Sequence, residues 1–267
     1  MTERKKLVLI GRPETGKTSI RKVIFEGVEP QKILDTPLKA TRGLSTSQYE
    51  WLDLDCAVFD TAGQNYQKIF TNETFQMKVF AGSSIIIYLF DCLTWNNPKE
   101  KGIILKDIKK IQEIIREHSY EAEVILFLHK IDLLLPENKE TFTEEVNSFI
   151  EKKYGIPVYF TSLVPKFIYS LYSAFHEILS HYSEKRALIK EKLDEHIQDL
   201  SKTMFFVTND NNSIVAQSMT EDFDVTYINH AHHLIAELNQ TLETMKQHDK
   251  VNHLILQTID ELNIITN

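Results

Sequence analysis

Eight consecutive residues, Gly11-Arg12-Pro13-Glu14-Thr15-Gly16-Lys17-Thr18, carry the spacing G-x-x-x-x-G-K-[ST], which cradles a polyphosphate when it links a strand to a helix. Gly11 and Gly16 let the backbone wrap close to a β-phosphate, so that successive N–H groups and the helix N-terminus face the anion. Lys17 adds positive charge toward the β/γ oxygens, and Thr18 offers a hydroxyl to Mg²⁺. A nucleoside triphosphate is the natural ligand of such a loop. Downstream, Asp60-Thr61-Ala62-Gly63-Gln64 supplies a carboxylate to hold Mg²⁺ through water, a glycine N–H for the γ-phosphate and a glutamine to orient an attacking water. In His129-Lys130-Ile131-Asp132 the Asp132 carboxylate can accept from guanine N1–H and the 2-amino group together. Adenine has no such donor pair, so this residue discriminates for guanine. The backbone N–H groups of Thr161-Ser162-Leu163 can meet guanine O6. The phosphate loop is the strongest signal; the three downstream segments are each weak alone, and jointly they are hard to reach by accident.

These segments must be held at one edge of a scaffold. Short aliphatic runs at 7–10, 57–59, 85–90, 124–128 and 158–160 suit strands buried on both faces. Between them, residues 16–25, 101–118, 143–153 and 166–181 repeat apolar residues three or four apart, as helices do. The alternation predicts an α/β fold, a P-loop domain whose mostly parallel six-stranded sheet has helices on both faces and ligands at the carboxyl ends of its strands. Residues 49–54, with Trp51 among alternating polar and apolar positions, predict an antiparallel edge strand hairpinned to the next run.

After Tyr182 the composition changes. Residues 183–203 are charged and helix-prone, with Ile189, Leu193, Ile197 and Leu200 on one stripe. A β-hairpin over 204–208 and 213–218 follows, its turn Asn209-Asp210-Asn211-Asn212 tolerant of positive φ. Residues 228–245 read as a second helix with a narrow apolar seam, and 254–265 as a strand. The expected organisation is a nucleotide domain over 1–182 and a small α/β module over 183–267, marginal on its own by surface-to-volume scaling.

The sequence resembles the Ras-related small GTPase superfamily over about residues 5–182, on the phosphate loop, Asp60 to Gln64, His129 to Asp132 and Thr161-Ser162. Within it the chain is most similar to the Rag/Gtr group. That narrower resemblance rests on His129 where most small GTPases carry Asn, on Lys17-Thr18-Ser19-Ile20-Arg21 continuing into Ile24-Phe25, and on Ile86-Ile87-Tyr88-Leu89-Phe90-Asp91. It implies a GTP-binding molecular switch with GTP/GDP and Mg²⁺ as its cofactors. Nucleotide contacts would come from Gly11, Arg12, Pro13, Glu14, Thr15, Gly16, Lys17, Thr18 and Ser19, and from Gly63, His129, Lys130, Asp132, Thr161, Ser162 and Leu163. Gln64, Lys17 and Thr41 would be catalytic, and Thr18, Thr41 and Asp60 would hold the metal. Thr41 is the switch threonine that the resemblance favours, with Thr36 and Thr46 as rivals. Ordering of 35–48 and 64–77 by the γ-phosphate would make the on state. The resemblance also implies a roadblock/longin-type C-terminal domain that forms a homo- or heterodimer, activating and exchange proteins as partners, and recruitment to membranes through a partner. The module looks short, since the chain stops at Asn267.

Two features depart from the common phosphate loop. Pro13 stands where small residues are frequent, and Glu14 adds negative charge; the favoured reading has both side chains pointing outward, with only their backbone serving the anion. Arg12 or Arg42 as an arginine finger in cis is disfavoured, because a lone loop arginine is more often a solvated charge. Without such a finger, hydrolysis is expected on the order of 10⁻⁴ to 10⁻² per second. His230, His232 and His233 sit off the apolar seam without carboxylate or cysteine company, so a solvated helix face outranks a zinc site.

Composition narrows the classes further. With 42% apolar and 25% charged residues, and only 8 Gly and 7 Pro in 267, the chain is neither disordered nor collagenous. Thirty basic residues against 38 acidic, a net charge of −8, argue against nucleic-acid binding. The two cysteines, Cys56 and Cys92, lie in hydrophobic stretches where buried thiols are the default, which points to a reducing, cytoplasmic setting. No apolar run reaches the roughly 20 residues of a membrane helix, and no signal peptide or lipidation pattern is expected, so direct membrane insertion is not. Three competing readings remain: a non-hydrolysing nucleotide-bound scaffold, an Arf/Ras-type GTPase of another group, and an ATP-using enzyme, which leaves residues 129–132 idle.

Overall fold

The computed structural model describes residues 4–36, 44–51, 54–61, 66–117, 121–164, 167–208, 214–223, 253–257 and 262–266. The chain divides into two compact units, Met1–Asp224 and Val225–Asn267. The first opens with β1 (Arg4–Gly11), α1 (Lys17–Glu26) and α2 (Pro30–Asp35). Next come β2 (Leu44–Trp51), β3 (Leu54–Thr61), α3 (Tyr66–Thr71), α4 (Glu73–Phe80), β4 (Ile85–Asp91), α5 (Cys92–Asn96) and α6 (Pro98–Glu117). It continues through β5 (Glu123–His129), a 3₁₀ turn at Ile131–Leu133, α7 (Pro136–Tyr154), β6 (Val158–Thr161), α8 (Ile168–Ser180), α9 (Glu184–Ile197), β7 (Met204–Thr208) and β8 (Ile214–Met219).

Among the described residues six strands form one sheet in the order β2-β3-β1-β4-β5-β6. All neighbours are parallel except the β2–β3 hairpin. The strands read as continuous aliphatic runs because both faces are covered. Leu7, Leu9, Ile85, Ile87, Leu89, Ile125 and Phe127 pack with residues of α1 and α8. The alternate positions Val8, Ile10, Ile86, Tyr88, Phe90, Leu126 and Leu128 pack with α3, α4, α6 and α7. On α6, Ile104, Ile108, Ile111 and Ile114 are buried at spacings of four, three and three, and each such side chain contributes roughly 1.5–3 kcal/mol.

The register matters most for function. Gly11 pairs with Leu89, Leu9 with Asp60, Asp91 with His129, and His129 with Thr161. The carboxyl ends of β1, β3, β4, β5 and β6 therefore come out at one edge of the sheet, where loops are free to build a site.

Several expectations are corrected. The edge strand is β2, Leu44–Trp51, not 49–54; Trp51 already pairs with Leu54 across the turn. Its amino-terminal half, Ser45-Thr46-Ser47-Gln48, lacks the apolar alternation that marks a half-buried strand, and Thr46 and Gln48 are exposed. The helix expected from 143 begins at Pro136, because its first two turns carry no buried stripe. The helix expected over 183–203 ends at Ile197, leaving Leu200 of its stripe 44% exposed. Residues 254–265 are not one strand. β9 (His253–Gln257) and β10 (Leu262–Thr266) pair antiparallel within the second unit. The expected helix over 228–245, with His230, His232 and His233, lies outside the described residues.

The 204–218 hairpin forms as β7–β8 and stays with the first unit. Ser218 donates to Asp194 of α9, Gln217 Nε2 lies 3.3 Å from Ser173 Oγ on α8, and Arg186 of α9 donates to His176 Nδ1 of α8 over 2.8 Å.

Candidate functional site

β1 ends at Gly11, where a side chain has no room: a Cβ would stand 2.4 Å from the Leu89 carbonyl oxygen. The chain then turns through residues 12–16 into α1. Gly16 takes φ 93°, and a Cβ on it would meet His129 Cδ2 at 2.8 Å. Both glycines are thus required by close approach, and Gly16 by backbone conformation as well. Glu14 is the non-glycine exception, with φ 63°. Pro13 and Glu14 are exposed.

Lys17 folds back into this loop. Its side chain is buried, and Nζ donates to the Gly11 carbonyl over 2.9 Å and the Arg12 carbonyl over 2.6 Å. Thr15 Oγ1 closes the loop onto the Arg12 carbonyl at 3.0 Å. A cation held inside a ring of backbone, at the N-terminus of a helix with no acid in its first turn, is an anion-binding arrangement. Thr18 follows at the same helix start, half-buried, and Ser19 is half-buried beside it. The Arg12 side chain, 29% exposed, forms an ion pair with Glu100 of α6.

The far side of the edge is built by β5, β6 and the turns after them. His129 is fully buried, and its Nδ1 lies 2.9 Å from Thr161 Oγ1. Burial, and secondarily the Lys130 charge, lower its pKa to about 4, so the ring is neutral at physiological pH. Lys130 takes φ 60° and sends Nζ 2.8 Å to the Glu14 carbonyl, tying the 129–132 segment to the phosphate loop. Asp132 sits in the 3₁₀ turn with its Oδ1 accepting from the Ser162 hydroxyl, and that same oxygen of Ser162 accepts from Val164 N–H at 3.0 Å. Leu163 is buried, in the cluster with α1 and α8. Cys92 donates to the Lys130 carbonyl over 3.0 Å. Burial pushes its thiol up to about 11, an unreactive packing group.

The structure therefore brings residues 11–18, 129–132 and 161–163 together. Asp60 lies one position before the end of β3 at the same edge. Thr41, Arg42, Ala62, Gly63 and Gln64 lie outside the described residues. Of the rivals to Thr41, Thr36 is exposed just after α2, and Thr46 is exposed on β2 opposite Phe59. The donor set expected for a metal, the hydroxyls of Thr18 and Thr41 and the carboxylate of Asp60, is all oxygen and suits a hard ion such as Mg²⁺. Among the described residues no group of three His, Cys, Asp or Glu gathers to hold a metal by itself.

Sequence reasoning passed over one cluster. Tyr66 Oη, Tyr88 Oη and Asp107 Oδ2 meet inside the core: the two phenol oxygens are 3.0 Å apart, Tyr88 lies 3.1 Å from the carboxylate, and Tyr66 donates to it. The available signal was Asp107 itself, a charge on the buried stripe of α6 between Ile104 and Ile108.

With this geometry described, comparison with known proteins gives a consistent answer. Residues 6–238 match the Gtr1/RagA G protein conserved region. GTP-binding protein GTR1 of Saccharomyces cerevisiae is 28% identical over 183 residues, covering 66% of this chain and 56% of the relative. Ras-related GTP-binding protein A of Dictyostelium discoideum is 27% identical over 139 residues, 52% of this chain and 44% of the relative. GTP-binding protein GTR2 of S. cerevisiae is 25% identical over 239 residues, 84% of this chain and 64% of the relative. The chain thus spans about half to two thirds of the length of these curated relatives. A family match over most of the chain, with the phosphate loop, His129 and Asp132 within it, leads to one conclusion: the chain belongs to the Gtr1/RagA family of G proteins.

Proposed function

We propose that this chain is a GTP-binding switch of the Rag/Gtr type that hydrolyses GTP slowly and signals through nucleotide-dependent partner binding. One observation carries the reading: Asp132, buttressed by Ser162, and the phosphate loop are linked through Lys130 at one sheet edge. A purine edge and a polyphosphate can be read there at once. In this reading Lys17 and the backbone N–H groups of residues 11, 12 and 14–19 bind phosphates, Pro13 having none to give. Asp132, with the 161–163 backbone, selects guanine. Gly63 meets the γ-phosphate and Gln64 orients water. Thr18, Thr41 and Asp60 would hold Mg²⁺, which would supply charge neutralisation to the polyphosphate. Buried His129 packs against Gly16 and braces Thr161.

Dimerisation of the intact protein through residues 183–267, with itself or a related chain, is part of this proposal, and so is a roadblock/longin-like character for that segment. Among the described residues no helix is long and apolar enough to cross a membrane, so membrane residence in this reading is lent by a partner. The test is nucleotide competition on purified protein, together with identification of the nucleotide that copurifies. GTP and GDP should displace a fluorescent guanine nucleotide at least a hundredfold better than ATP, and single-turnover phosphate release should be slow. Equal affinity for ATP overturns the guanine assignment; tight GTP binding with no release supports the scaffold reading.

A further inference from the structure

Helix α6 faces the candidate site with two acids two turns apart. Glu100 takes the guanidinium of Arg12 from the phosphate loop. Asp107 takes the hydroxyl of Tyr66, the first residue of α3. Tyr66 stands two residues after Gln64 in the chain, so whatever fixes Tyr66 limits where that glutamine can reach.

The Tyr66 ring meets Phe70 of the same helix edge to face, with centroids 5.2 Å apart. α3 has only six residues, and its buried side chains are Tyr66 and Ile69. The Tyr66 hydroxyl crosses 41 positions of sequence to Asp107. The Asp107 side chain lies in an apolar cluster, and burial raises its pKa, while the hydroxyls of Tyr66 and Tyr88 and the charge of Arg12 oppose that rise. A carboxylate in such a place is costly unless its hydrogen bonds are made, and an apolar residue would pack there at less expense. Such a group specifies one arrangement against others. Two phenols serve it, and they differ in kind. Tyr88 is fixed in the middle of β4, whereas Tyr66 belongs to the segment that leads out of the site.

We infer that α6 is a bracket that sets the span between the phosphate loop and the start of α3, with Asp107 acting through Tyr66 as a positioning residue for GTP hydrolysis. The inference rests on the proposed GTPase reading and deepens it. Asp107 reaches no substrate in this scheme; it holds Tyr66, and Tyr66 holds the start of α3. Because an error of about 1 Å in a reacting group can cost up to a hundredfold in rate, a lost tether should show in turnover before it shows in binding.

The test uses the full chain and compares Tyr66→Phe, Tyr88→Phe and Asp107→Asn by single-turnover hydrolysis at saturating Mg²⁺-GTP, by GDP affinity and by thermal midpoint. Tyr66→Phe should slow hydrolysis about tenfold with GDP affinity within about twofold of the unaltered protein. Tyr88→Phe should lower the thermal midpoint comparably but slow hydrolysis several times less. Asp107→Asn, which keeps an acceptor, should fall between them, and in the double variant Tyr66→Phe should add little to it. Tyr66→Phe hydrolysing at the unaltered rate, or both tyrosine variants slowing by the same factor, overturns the inference alone. Absence of GTP hydrolysis in the unaltered protein overturns the proposed activity and this inference together.

Discussion

The two ends of the candidate site are built on different principles. At the purine end, His129 meets Thr161, Asp132 meets Ser162, and Lys130 meets the Glu14 carbonyl. Every bond there joins strand ends or the turns directly after them, and neighbouring strand register sets the distances. At the phosphate-exit end the tethers anchor on α6: Arg12 bonds Glu100 and Tyr66 bonds Asp107. They run through side chains on a helix rather than through the sheet ladder. Recognition placed on the ladder is rigid, because shifting it means shifting a strand. A hydrolytic element hung on side-chain tethers can move without unfolding the sheet, which suits a part whose state must change.

The largest expected effect breaks the rigid end. Asp132→Ala removes an ionised acceptor for two guanine donors, each charge-assisted bond contributing about 1.5–3 kcal/mol. GTP affinity should fall roughly a thousandfold, about 4 kcal/mol, with ATP affinity unchanged. Competition titration reads both values, and a fall shared equally by ATP would mean collapse of the site rather than loss of the reader.

The second effect follows from the neutral state of His129. Its folded pKa is about 4 against 6.5 for the ordinary ring, so between those values the unfolded chain takes up a proton that the folded one refuses. Stability from this residue is fully present above about pH 6.5 and is lost as pH falls toward 4. The loss approaches about 3 kcal/mol. Urea titrations at pH 7 and pH 4.5 should show it, and His129→Asn should flatten that limb. An unchanged pH dependence in the variant would show that the ring carries its charge after all.

How much of this was legible in the sequence follows from the same contrast. The motifs at strand ends could be placed because each is short and follows a run such as Ile85–Asp91, whose side chains face covered layers on both sides. α2, α3, α4 and α5 are absent from the sequence expectations: at five to eight residues each, they are too short to show a sustained helical period. β2 was misplaced because its outer face meets water and carries no apolar alternation. The pairing of Asp132 with Ser162 joins two segments that had been singled out separately, one for the purine edge and one for O6, and neither pattern hints that one supports the other. Asp107 was visible as a charge on the apolar face of α6, but its partners lie on α3 and β4, and no period in the chain points to them. Local chemistry is written in spacing; tethers between distant elements are not.

A third effect is smaller and joins the two ends. Gly16→Ala forces an L side chain to φ 93° and presses a Cβ onto the His129 ring. The backbone cost alone is about 1–2 kcal/mol, so nucleotide affinity and thermal midpoint should both drop, affinity by about tenfold. His129→Ala in the same chain should recover the steric part and leave the backbone part. If recovery is complete, the conformation costs little and the contact alone matters.

Glu14→Gly should do least. Its φ of 63° carries a left-handed penalty of about 1 kcal/mol that glycine relieves, while glycine's greater freedom in the unfolded chain takes back roughly 0.5–1 kcal/mol. The two nearly cancel, so stability should hold within about 0.5 kcal/mol by urea titration. Affinity is the sharper reading. The Glu14 carbonyl holds Lys130, and glycine keeps that carbonyl, so GTP affinity should stay within about twofold. A rise of tenfold would mean that the carboxylate opposes the polyphosphate, and the loop would then be tuned by charge as well as by backbone shape.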